Sequence, residues 1–129
     1  MVRKQSKRPT AAELEILGVL WELGASTVRQ VHSRLAHGRE LGYTTVLKLL
    51  QIMADKGLVL RDESERAHVY SPRIPAEQTQ RLLIGDLLDR AFGGSAARLV
   101  QQALSAKKTT PEEISRIRQF LDEWERKAK

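Results

Sequence analysis

Apolar residues recur along this chain at helical spacing almost throughout, with one interruption. Leu14, Leu17, Leu20 and Trp21 form a stripe behind Thr10 and Glu13, a Thr-x-x-Glu pair able to cap a helix start reciprocally. Gly24 offers that helix a stop. Thr27 and Gln30 make a second capping pair, followed by Val28, Val31 and Leu35 as the buried face of a short helix ending near Gly38. After a connection over 39–42, a third helix is predicted from about Thr44 to Lys56, with Gly57 at the position where a left-handed residue ends a helix. Then the pattern changes. Leu58–Asp62 and Ala67–Ser71 read as two strands around the tip Glu63-Ser64-Glu65-Arg66. Three helices and a hairpin, in that order, predict a winged helix-turn-helix.

Pro72 and Pro75 fix two backbone angles and remove two donors, which marks a stiff boundary. Beyond it the pattern is helical only. Leu83, Leu87, Leu88, Ala91 and Phe92 run to a break at Gly93-Gly94, and Ser95 can cap a helix carrying Leu99, Val100 and Leu104. Thr110-Pro111-Glu112-Glu113 combines a capping box with proline at the first helical position. Ile114, Ile117, Leu121 and Trp124 follow at spacings of three, four and three, as in an a/d seam. The expected fold class is all-α with a small β-hairpin: a winged helix over 1–74 and a helical dimerisation domain over 75–129. Short amphipathic helices in so small a segment have little to bury against, so Leu87, Leu88, Phe92, Leu99, Val100, Leu104 and the Ile114–Trp124 seam are expected to pair two copies of the chain.

On a helical wheel of about 100° per residue the third helix carries its chemistry in a narrow band. Thr44, Lys48, Gln51 and Asp55 share one stripe, opposite Val46, Leu49, Leu50 and Met53, with Leu47, Ile52 and Ala54 on the flanks. Thr, Lys and Gln near a helix start suit phosphates and base edges in a major groove. Thr44, Thr45, Lys48 and Gln51 are therefore the candidate readers of duplex DNA, with Tyr43 as a positioning or phosphate residue. Thr27 and Arg29 open the second helix and are candidates for phosphate, as are Arg66 and His68 from the hairpin.

Charge supports a polyanionic partner. The 129 residues carry 22 Lys+Arg against 16 Asp+Glu, a formal +6. Residues 1–74 hold twelve basic and eight acidic side chains, residues 75–129 ten and eight, so the front half is the stronger footprint, although Arg3, Lys4, Lys7 and Arg8 belong to a tail. The absence of cysteine excludes disulfides, zinc ribbons and thiol catalysis and suits a reducing compartment. No apolar run approaches the roughly 18 residues of a membrane span, and the basic start lacks a signal peptide's apolar core, so a cytoplasmic location is expected. His32 and His37, five apart, lie about 140° apart on a helix and do not share a face as metal ligands would; no metal and no cofactor is expected. No phosphate-binding glycine loop occurs, and the carboxylates sit among Lys and Arg as on solvated faces, which argues against an enzyme. Two rivals remain: a winged helix that binds protein and never touches DNA, and an RNA binder, weakened by the scarcity of exposed aromatics.

Several motifs in order carry a resemblance: Leu14-Glu15-Ile16-Leu17 with Leu20-Trp21 and Gly24, Tyr43-Thr44-Thr45-Val46 with Lys56-Gly57-Leu58, Arg66 to Pro72, and Phe92-Gly93-Gly94-Ser95 with Leu99-Val100. Over residues 10 to about 125 the chain resembles the penicillinase-repressor family, which includes repressors of β-lactamase and methicillin-resistance genes and copper-responsive repressors. The resemblance implies a homodimeric bacterial transcriptional repressor, with its winged helix on inverted repeats of double-stranded DNA and its C-terminal helices as the dimer. Three departures stand out. The copper branch ends in a cysteine-rich metal motif that this chain lacks, against copper sensing. The β-lactam branch is cut at an Asn-Phe bond in a pathway started by a membrane sensor protease; the aligned pair here is Gln102-Ala103. Relatives place glycine before the wing arginine, where this chain has Glu65.

Overall fold

A computed structural model describes residues 8–35 and 41–128. In chain order the elements are α1 (Ala11–Leu23), β1 (Ser26–Thr27), α2 (Val28–Leu35), α3 (Tyr43–Lys56), β2 (Val59–Asp62), β3 (Val69–Pro72), α4 (Ala76–Ala91), α5 (Ala96–Ala106) and α6 (Pro111–Ala128). The mainly helical class with a small antiparallel sheet is as the pattern predicts. The chain divides into two compact units, Met1–Leu83 and Ile84–Lys129. The division falls inside α4, after the Pro72–Pro75 segment, because Thr79 is buried in the front unit.

The front unit is a winged helix. Thr10 and Glu13 form the full capping box, Thr10 Oγ1 accepting from Glu13 N–H at 3.2 Å and Glu13 Oε1 from Thr10 N–H at 2.9 Å. One face of α1 then buries Ile16, Leu17, Val19 and Leu20. Val28, Val31 and Leu35 from α2 meet Val46, Leu50 and Met53 from α3, and Leu58, Val59 and Tyr70 from the sheet close the core. Trp21 packs on its edge and its Nε1–H donates to the Ile74 carbonyl at 3.1 Å, so the segment leaving the sheet is tied to α1. Glu13 is buried yet ionic: its Oε1 also takes Lys56 Nζ at 2.8 Å, joining the start of α1 to the end of α3.

Two boundaries differ from the expectation. Leu58 is a core residue ahead of the strand, because its N–H still bonds back to the Met53 carbonyl at 2.9 Å behind the left-handed Gly57 (φ 82°). The second hairpin strand starts at Val69, later than the expected Ala67, and the sheet has a third strand that the sequence pattern misses. Its order is β1-β3-β2, with Ser26 opposite Tyr70 and Thr27 opposite Val69, and Arg61 opposite Tyr70 on the other side. Helix α2 is described to Leu35, so its expected end near Gly38, and His37 with it, lie outside the described residues.

The second unit contains most of α4, then α5 and α6. Gly93 and Gly94 both hold positive φ (56° and 80°), and Gly94 N–H donates to the Leu88 carbonyl at 2.7 Å to close the end of α4. Ser95 Oγ caps α5 by accepting from Arg98 N–H at 3.1 Å. Thr110 caps α6 through Glu113 N–H at 3.1 Å, while the Glu113 carboxylate faces Arg116 at 3.6 Å. Neither α5 nor α6 has a buried residue.

Candidate nucleic-acid interface

The third helix presents a clean division of faces. Val46, Leu50 and Met53 are inaccessible to solvent, and Thr44, Thr45, Lys48 and Gln51 are exposed on the other side. Burial of the first three therefore fixes the rotation at which the other four face outward. The helix opens at Gly42, which is extended (φ −69°, ψ 157°) and supplies no side-chain cap, so the first-turn N–H groups are free of a capping side chain. They add partial positive charge where Thr44 and Thr45 project.

Two further segments converge beside that helix start. Thr27 of β1 and Arg29 of α2, Tyr43 and Leu47 of α3, and Arg66 and His68 of the wing line one open concavity of about 370 Å³. Thr27 Oγ1 accepts from Gln30 N–H at 3.2 Å while Gln30 Oε1 accepts from Thr27 N–H at 2.8 Å, so the box that starts α2 leaves the Thr27 hydroxyl proton to donate outward. Tyr43 is half exposed and meets the His32 ring edge-to-face, centroids 5.8 Å apart at 78°. His32 was not among the candidate residues; its place in α2, facing the start of α3, makes it the support of Tyr43.

The wing is ordered by its own acid. Asp62 Oδ1 accepts the Ser64 N–H at 2.9 Å, an Asx turn, and that bond holds the Asp62 carboxyl below its ordinary range. On β2, the Tyr70 hydroxyl and the Glu63 carboxylate, 2.8 Å from Arg61 Nε, raise the guanidinium's pKa further still. Arg61 is thereby held within the wing, leaving Arg66 and His68 as its outward groups. Lys56, at the far end of α3, is committed to Glu13.

The site thus has hydrogen-bonding side chains on one helix face, flanked by hydroxyl and guanidinium groups at its edges. The profile of the penicillinase repressor family matches residues 9–123. The chain belongs to the penicillinase repressor family. A transcriptional regulator BlaI of Mycobacterium tuberculosis is 35% identical over 116 residues, covering 88% of this chain and 82% of the relative. The penicillinase repressor of Bacillus licheniformis is 25% identical over 118 residues, covering 92% of each. Among solved structures, the DNA-binding domain of the repressor BlaI aligns with a TM-score of 0.50 at 24% identity, over 57% of this chain and 90% of that one. That likeness supports the winged-helix fold. Within this repressor family the chain carries Gln102-Ala103 inside α5, exposed and helical.

The sequence-predicted dimer residues form no closed core. Leu87, Val100, Leu104, Leu121 and Trp124 are exposed, and Leu88, Phe92, Leu99, Ile114 and Ile117 only partly covered. Phe120, absent from the expected seam, stacks on Trp124 with centroids 6.1 Å apart and is 62% exposed. Its i, i+4 relation to Trp124 was the available signal.

Proposed function

We propose that this chain represses transcription as a homodimer on an inverted-repeat operator, with α3 of each copy in a major groove. The observation that carries the reading is the convergence of Thr27, Arg29, Tyr43, Arg66 and His68 on one concavity next to the exposed Thr44, Thr45, Lys48 and Gln51 face. In the proposed complex Gln51 and Lys48 address base edges or the phosphates beside them. Thr27 and Arg29 hold one stretch of backbone, and Arg66 and His68 hold another from the wing. Repression follows from occupying the promoter against polymerase. The names of the relatives, a transcriptional regulator and a penicillinase repressor, support it. Membership of the family also makes a sensor-protease pathway a candidate partner, with Gln102-Ala103 as the bond to examine.

The test is operator binding as a function of salt. Duplex fragments from the chain's own promoter region are titrated from low to high salt against unrelated duplex. Expected is preferential binding to an inverted repeat, with affinity falling steeply as salt rises because phosphate contacts release counterions. No preference for any promoter fragment at low salt would favour a protein-binding winged helix instead.

A further inference from the structure

A second cavity, of about 440 Å³, lies wholly within the front unit, between Arg8-Pro9 ahead of α1, the end of α3, the exit of β3 and the first two turns of α4. That volume falls in the range of small-molecule sites, roughly 300–1,000 Å³. Its apolar lining comes from Leu58, Ile74, Pro75, Leu82 and Leu83. Two polar features on the wall distinguish it from a packing defect. Thr79 is only 3% exposed, and its hydroxyl has no hydrogen-bond partner among the described residues, although its N–H bonds to the Pro75 carbonyl at 3.4 Å. Since no unpartnered side-chain oxygen among the described residues is sealed from solvent, that hydroxyl reaches solvent through the cavity it lines. A hydroxyl that water reaches only through this cavity is a donor and acceptor that a ligand atom seated there can take over.

The second feature is charge. Three cations on the wall differ in state: Arg8 and Lys56 already have partners, Lys56 on Glu13 at 2.8 Å, whereas Arg73, exposed at the end of the hairpin, forms no ion pair among the described residues. One free guanidinium, one free hydroxyl and an aliphatic floor describe a particular guest. We propose that this cavity binds a small monocarboxylate with an apolar body, its carboxylate on Arg73 and Thr79 and its body against Leu58, Ile74 and Leu83. The site is distinct from the DNA-facing concavity and does not depend on the repressor reading. It touches Lys56 and Gly57 at the end of α3, so a bound guest sits against the helix proposed to read DNA.

The full chain is titrated with octanoate, octanol and octylammonium by calorimetry and by amide chemical-shift mapping. Octanoate is expected to saturate with shifts centred on residues 57–58, 73–75 and 79–83, and the neutral and cationic probes to bind at least about tenfold more weakly, since an ionised hydrogen bond is at stake. Arg73→Gln is expected to weaken octanoate by about tenfold or more, and Thr79→Val, which keeps the volume, by about three- to tenfold. Thermal unfolding of each variant reports that the fold is retained, and operator titration without octanoate reports whether Arg73 serves DNA instead. No saturable octanoate binding would overturn the proposal. So would equal binding of the three probes, shifts confined to other residues, or folded variants that bind octanoate like the wild type.

Discussion

Single side chains in this structure are assigned to different duties by what they already touch. Lys48 and Lys56 lie eight residues apart on α3, but Lys56 is locked to a buried carboxylate and Lys48 is exposed. Lys48→Ala is expected to weaken binding to all DNA sequences alike and to lower the slope of affinity against salt. Gln51→Ala is expected to cost about 1–3 kcal/mol on the cognate operator and to relax selectivity at one base pair. Measuring both variants on cognate and altered duplexes over a salt series separates the roles, and identical losses on every duplex would remove Gln51 from base reading. For Lys56 the expectation concerns folding. Lys56→Met strands a Glu13 side chain that is 3% exposed, with an expected loss of about 3 kcal/mol in urea unfolding. Adding Glu13→Gln to it should return part of that loss, because the uncompensated charge is gone.

At the scale of elements, the wing has a built-in acid sensitivity. The Asp62 carboxyl has a folded pKa below its ordinary 3.8 because the Ser64 N–H bonds the ionised form. Its stabilisation of the wing is therefore full above about pH 3.8 and fades as the pH falls through the folded value. Amide exchange at Ser64 should accelerate, relative to the core, only in that acid window, and Asp62→Ala should remove the pH dependence. How far such elements were legible in the sequence depended on whether their causes were local. The boxes Thr10/Glu13 and Thr27/Gln30 and the stop at Gly57 are made by residues within four of one another, and each was readable. The Ser26–Thr27 strand was not, because two residues have no periodicity and exist as a strand only through Tyr70 and Val69. Leu58 reads as a strand residue in the sequence because an apolar side chain looks alike in a strand and behind a helix cap. The outward face of α3 was legible because three buried positions, Val46, Leu50 and Met53, set it. The Glu13–Lys56 link, 43 residues apart, left no local trace.

For the whole molecule, the two units have very different means of staying folded. Among the described residues the front unit has thirteen buried apolar side chains, whereas α5 and α6 bury none and expose Phe120, Leu121 and Trp124. Apolar surface left in water costs roughly 25 cal/mol per Å². In the proposed dimer a second copy would cover these stripes and relieve that cost, and two linked heads would then read two half-sites. Leu121→Asp is expected to give monomers whose front unit keeps its melting transition while operator affinity falls sharply. Sedimentation of the wild type at micromolar concentration checks the premise; a monomer that still binds its operator tightly would contradict the dimer.

The three-stranded sheet bears on this interface in another way. Thr27, the end of β1 just ahead of α2, stands in register opposite Val69, one residue beyond His68 of the wing. If both segments rest on the phosphodiester backbone as proposed, their separation is set by the pleat and not by a flexible loop. The pair then works like the fixed jaws of a gauge. A duplex whose phosphate spacing departs from the jaw width must itself be deformed to fit, at an energy that depends on its sequence. Base pairs that no side chain touches would thereby influence which operator is chosen.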